Sequence, residues 1–146
     1  MEIKKVYLAA SLSQDKRETT EKVRQILINK GFEVYNPVEN FIPNAWDYPN
    51  TEWGMMVFTN DITAINKSDL VVAISYGRIN DTGGTCWEIG YAFGIGKKVI
   101  VVEMDQSVPI SLMIANGSYA RVSGLNGIEE YDFETLPKSR TNTEQK

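Results

Sequence analysis

Two carboxylates in apolar company are the side chains best suited to chemistry in this sequence. Val57, Asp61 and Ile65 are spaced four apart, with Phe58 and Ile62 beside them. On a helix that spacing sets the Asp61 carboxylate on or beside the buried stripe. An acid there either pairs at the stripe edge with a lysine or a backbone donor, or is kept protonated by burial as a general acid. Glu88 stands in Asp81-Thr82-Gly83-Gly84-Thr85-Cys86-Trp87-Glu88-Ile89-Gly90-Tyr91-Ala92, in the first turns of a helix. The helix dipole and free N–H groups there favour an ionised carboxylate, which suits a nucleophile; the plain alternative is an acid chosen for the dipole alone. Tyr7, central in a short apolar run, is either a simple β-former or a hydroxyl donor to a pocket carboxylate.

The composition narrows the chemistry further. Among 146 residues there is no His and one Cys. That removes Ser-His-Asp and Cys-His nucleophile pairs and most catalytic zinc sites, leaving acid/base work to carboxylates, Tyr or Lys. Cys86 can form neither an internal disulfide nor a Cys-rich metal site, which fits a packing role in a reducing compartment. With 15 Lys plus Arg against 19 Asp plus Glu, the net charge is -4, so no global positive field collects a polymeric nucleic acid. Gly83-Gly84-Thr85 lacks the lysine of a P-loop and the spacing of a dinucleotide fingerprint. Two carboxylates in different environments, without histidine, point to glycosyl chemistry: one acid attacks and the other protonates the leaving group.

The elements that must position these groups alternate between strand and helix. Lys5–Ala10, Phe32–Tyr35, Asp69–Ser75, Lys98–Val102 and Tyr119–Val122 read as strands, mostly continuous apolar runs. Helices are expected from a cap at Ser13 through Lys30, with Gly31 as the stop, over Thr51–Lys67 and Thr85–Gly96, and briefly near Leu112–Ala115. Between them, Asn36–Asn50 carries Pro37, Pro43 and Pro49 with Phe41, Trp46 and Tyr48, as a pocket-lining loop would. Asp69, after Lys67-Ser68, reads as a structural turn acid. The pattern predicts a single α/β domain, a flavodoxin- or Rossmann-like parallel five-stranded sheet with helices on both faces, spanning 1–137. A polar, frayed tail follows over 138–146. The first apolar run is too short for a signal peptide or membrane span, so a cytoplasmic protein without membrane contact is expected.

The chain resembles the nucleoside 2-deoxyribosyltransferases and their relatives, the nucleoside 5′-monophosphate N-glycosidases. The resemblance runs in order through Val6-Tyr7-Leu8-Ala9-Ala10, Glu52-Trp53, Val57-Phe58-Thr59-Asn60-Asp61-Ile62, Gly84-Thr85-Cys86-Trp87-Glu88-Ile89-Gly90-Tyr91-Ala92, Ile110-Ser111-Leu112-Met113-Ile114 and Tyr131-Asp132-Phe133-Glu134-Thr135-Leu136-Pro137. It implies that Glu88 attacks the sugar C1′ and holds a covalent 2-deoxyribosyl ester, that Tyr7 positions Glu88, and that Asp61 exchanges a proton with the departing and incoming bases. Trp53 and the 41–48 loop would cover or stack the base. Ser111 and Met113 would reach a neighbouring subunit's site, making a homo-oligomer with shared active sites. No metal or organic cofactor is implied, and the partners are small nucleosides and nucleobases.

Two departures bear on the substrate. The family has an Asp six residues before its nucleophile, binding the sugar; here Thr82 stands there and Asp81 one residue earlier. Either an extra loop residue leaves Asp81 in that role, or Thr82 makes the site less acidic. The transferases commonly carry Asn where Ser111 stands. Hydroxyl residues at both places, with Ser11 and Ser13 nearby, admit a 5′-phosphate that an acidic loop repels. The resemblance as a whole implies transfer of 2-deoxyribose between bases. Hydrolysis of (deoxy)nucleoside 5′-monophosphates is the alternative, and a non-catalytic nucleotide-binding module the second.

Overall fold

The computed structural model describes residues 2–39 and 45–139. The apolar runs become five parallel strands, β1 (Lys5–Ala9), β2 (Glu33–Tyr35), β3 (Leu70–Ser75), β4 (Val99–Glu103) and β5 (Ala120–Ser123), in the order β2-β1-β3-β4-β5. Helices α1 (Arg17–Asn29), α2 (Asn50–Lys67), α3 (Gly83–Gly94), α4 (Leu112–Gly117) and α5 (Gly124–Glu130) connect or follow them. The expected α/β architecture is borne out.

Strand alternation divides the core in two. Val6, Leu8, Leu70, Val72, Ile74, Ile100 and Val102 face one side, where Val23 and Leu27 of α1 and Ile128 of α5 cover them. Tyr7, Ala9, Val71, Ala73, Val99 and Val101 face the other, under Ile65 of α2, Ile89 and Ala92 of α3, and Ile114 and Ala115 of α4. A sheet buried on both faces is why the strands read as continuous apolar runs. The order reverses between β1 and β3: β1 leads outward to β2, and β3 leads the other way to β4. A crevice opens beyond the carboxyl ends of two such strands, where connections depart to opposite sides.

Several boundaries differ from expectation for local reasons. Ser13 does not cap α1; its side chain makes no cap hydrogen bond, and a 3-10 turn over Gln14–Lys16 intervenes before the helix begins at Arg17. Gly31 does end that helix, at φ 97°, with its N–H on the Ile28 carbonyl at 2.9 Å and the Phe32 N–H on the Leu27 carbonyl at 3.3 Å. Helix α3 starts two residues earlier than expected, at Gly83, because the Thr82 hydroxyl accepts the Thr85 N–H at 3.4 Å and caps it. Helix α5 was not anticipated: seven residues with two glycines carry little helical signal, and Ile128 in the core holds them.

The 36–50 connection contains two 3-10 turns, Pro37–Glu39 and Ala45–Asp47. Phe41, Ile42, Pro43 and Asn44 of the expected aromatic loop lie outside the described residues. At the other end, the Ser139 hydroxyl accepts the Arg121 N–H at 2.8 Å, which ties the start of the supposed tail to β5; residues 140–146 lie outside the described residues. Asp69 is a structural staple, accepting the Lys4 and Lys5 N–H groups at 2.9 Å each, and those bonds hold its carboxyl below the usual range. Cys86 packs partly buried beside α2 and α3 core residues. Among the described residues no helix is long and apolar enough to cross a membrane.

Candidate active site

A cavity of about 770 Å³ occupies the crevice between the ends of β1 and β3, within the size range of small-molecule sites. Three segments and Pro37 build it. Ala10 to Ser13, leaving β1, form its floor and one rim. Phe58, Asp61, Ile62 and Ile65 line a second wall from α2, following the i, i+3, i+4, i+7 spacing of one helical face. The third wall is the start of α3, from Thr82 through Thr85, together with Trp87 and Glu88.

Glu88 reaches the cavity from the second turn of α3, on the face shared with Gly84 and Thr85. The hydroxyl of Tyr7, fully buried in β1, donates a hydrogen bond to its Oε2. The dipole expectation is corrected here. Five residues into the helix the dipole has faded, and burial dominates, pushing the Glu88 carboxyl up to about 7; the nearby Asp61 charge adds to the rise and the Tyr7 bond opposes it. Tyr7 itself is pushed far above the ordinary phenol value, first by burial and then by the Glu88 charge, so its hydroxyl keeps its proton and remains a donor.

Asp61, half-buried on α2, faces the same cavity, and the Tyr35 hydroxyl donates to its Oδ1 at 3.2 Å. The two acids are thus each approached by a tyrosine from the sheet. Tyr7 and Tyr35 are register partners on β1 and β2, and their rings stack with centroids 5.5 Å apart and planes 25° apart.

The loop before α3 separates the two residues competing for the sugar-side position. Asp81 turns away from the cavity, its carboxylate accepting the Ser75 hydroxyl at 2.5 Å and the Tyr76 N–H at 2.6 Å. Gly77, at φ 93°, makes this turn possible, since a Cβ there would sit 2.2 Å from Val108 Cγ1. Thr82 lines the cavity instead, opposite Ser11 and Ser13, whose hydroxyls lie 3.0 Å apart.

The other expected residues fall elsewhere. Trp53 is on the Asp61 face of α2 but two turns earlier, half-exposed and outside the cavity lining. The aromatic wall is made by Phe58 and Trp87, packed edge to face at 5.4 Å, with Tyr91 stacked on the outer side of Trp87. Phe58 was legible as the residue three before Asp61. Trp87 adjoins the nucleophile position. Tyr35 was visible only through strand register. Ser111 and Met113 lie at the start of α4, outside the cavity lining, and Met113 is 82% exposed.

With this geometry in hand, the chain matches the family model described as nucleoside 2-deoxyribosyltransferase over residues 6–134. It is similar to a 2-deoxyribosyltransferase from the psychrotolerant bacterium Bacillus psychrosaccharolyticus at 33% identity, covering 92% of this chain and 97% of that one, with a TM-score of 0.82. The CMP N-glycosidase of Clostridium botulinum is 25% identical over 88% of this chain and all of its own, with a TM-score of 0.62. A conserved protein from Enterococcus faecalis shares the fold at 22% identity, 88% and 99% coverage and a TM-score of 0.69. Among curated proteins none matches significantly. The chain belongs to the nucleoside 2-deoxyribosyltransferase family.

Proposed function

We propose that the protein transfers 2-deoxyribose between nucleobases by double displacement on Glu88. The observation that carries this reading is the convergence of Glu88, held by Tyr7, and Asp61, held by Tyr35, on one aromatic-walled cavity. Ionised Glu88 attacks C1′ while the C1′–N bond breaks, its electron pair passing to the base nitrogen, which takes a proton from Asp61. The product is a glycosyl ester on Glu88 and a free base. In the second half, Asp61 accepts the proton of an incoming base as its nitrogen attacks C1′, and Glu88 departs as carboxylate. Burial suits Glu88, because a carboxylate with a raised pKa is the stronger nucleophile, and Asp61 faces the same cavity, where it can pass a proton to the leaving base. Phe58 and Trp87 supply flat apolar surface for the base, and Thr82 lines the cavity on the sugar side. Ser111 and Met113 serve the cavity of a neighbouring copy in a homo-oligomer.

A second reading, hydrolysis of a nucleoside 5′-monophosphate, is favoured by one feature. The rim carries the hydroxyls of Ser11, Ser13 and Thr82, while the Asp81 carboxylate is engaged by Ser75 and Tyr76. Ser11 and Ser13 can donate to a phosphate there, whereas the Thr82 hydroxyl donates to Thr85 Oγ1 at 3.0 Å. One incubation separates the readings: with a deoxynucleoside, a deoxynucleotide and a second free base present, transfer yields a new nucleoside and hydrolysis yields sugar phosphate. Loss of Glu88 as Glu88→Gln is expected to abolish both outcomes in a folded protein; exchange at the wild-type rate would remove Glu88 from the chemistry.

A further inference from the structure

We infer that Tyr35 is a positioning residue that sets the proton-transfer geometry of Asp61 and ties it to the Tyr7–Glu88 pair; this rests on the glycosyl-transfer reading above. Parallel partners in register place their side chains on the same face, one strand spacing of about 4.8 Å apart. Tyr35 closes β2 opposite Tyr7 in β1, and the rings meet at 5.5 Å. From that stack one hydroxyl reaches Glu88 on α3 and the other reaches Asp61 on α2. The two acids come from helices that share no loop, so their relative placement would otherwise depend on how each helix settles on the sheet. The tyrosine pair instead refers both to adjacent backbone positions joined by sheet hydrogen bonds.

The chemical consequence lies in protonation of the base. A donor on Oδ1 of Asp61 restrains the rotation of its carboxyl, and proton transfer to a leaving nitrogen depends on that orientation. Glu88 attack is served by Tyr7 and does not pass through the Tyr35 hydroxyl. Removing that hydroxyl should therefore slow departure of a base that needs a proton and spare one that does not.

Tyr35→Phe keeps the ring stack and removes only the donor. It should be compared with wild type on an ordinary purine 2′-deoxyriboside and on its N7-methylated counterpart, whose cationic base leaves as a neutral molecule without protonation. Expected for the variant is a loss of about tenfold in kcat on the ordinary substrate. KM should stay within about twofold, and the loss on the methylated substrate should be less than about twofold. In an Asp61→Asn background, Tyr35→Phe should add little further, because both changes remove the same function. Equal loss on both substrates, full additivity with Asp61→Asn, or no loss at all would overturn the positioning role. Wild-type protein that releases base from neither substrate would overturn the transfer reading itself, and the role of Tyr35 with it. Wild type active on both, with Tyr35→Phe unchanged, would overturn only the latter.

Discussion

Glu88 keeps its proton to a pH where an ordinary glutamic acid has long lost it, and this has two measurable effects. The first is catalytic. Attack on C1′ requires the carboxylate, so kcat/KM should rise with pH through a midpoint near 7, the value to which burial pushes the free protein's Glu88. A flat profile between pH 5 and 8 would contradict a nucleophile in this environment. The second effect is on stability. Below pH 4.5 the group is protonated in folded and unfolded chains alike and costs nothing. Between 4.5 and about 7 the folded state holds a proton that the unfolded state releases, so stability falls as pH rises and the full penalty stands above 7. Glu88→Gln should therefore stabilise the fold at pH 8 by up to about 3 kcal/mol, and by much less at pH 5. Denaturant titrations at the two pH values check this; equal effects at both would show that burial is not what shifts the group.

Helix α3 presents the same tension between fold and function. Gly84 sits in its first turn with a conformation open to any residue, and a Cβ there meets nothing within 4 Å. Since Gly84 also lines the cavity, that open space belongs to the ligand. Gly84→Ala should stabilise the domain by about 0.5 kcal/mol through helix propensity while raising KM, readable from thermal unfolding beside substrate kinetics. Gly77→Ala should act oppositely, destabilising the fold by more than about 1 kcal/mol because its Cβ would strike Val108.

These elements also show how far a sequence can be read. Strands β1, β3 and β4 were plain because each is buried on both faces, and Asp61 was plain because a lone acid interrupts an apolar helical stripe. The protonation of Glu88 was misread because the dipole is a local property of the helix, whereas burial comes from Tyr7 and α2, which are distant in the chain. Tyr35 passed as the end of a short strand. Only pairing with β1 gives it a neighbour and a carboxylate. Helix α5 was hidden because its stability lies in one buried contact, Ile128, rather than in its own composition.

Across the whole molecule, apolar side chains gather outside the core on α3 and α4. Phe93, Leu112 and Met113 are exposed to 61%, 61% and 82%, and Trp87 and Phe58 extend apolar surface to the cavity mouth. Such surface suits contact with a second copy. Met113→Asp, which alters no residue of the described cavity lining, should weaken self-association in sedimentation and lower activity together if neighbouring copies complete one another's sites. A monomer with undiminished turnover would separate assembly from catalysis. The paired register of Tyr7 and Tyr35 has a consequence of another kind. Because the tyrosines that reach the acids stand on adjacent strands, the reacting groups are anchored to the sheet, while Ser11, Leu12, Ser13, Pro37 and Thr82 bring the connections between elements into the cavity lining. Connections accept insertions and exchanges that strands do not. The chain thus divides into a fixed reaction frame and a replaceable vestibule, and a change of preferred base or sugar substituent can be sought in the vestibule without disturbing the frame.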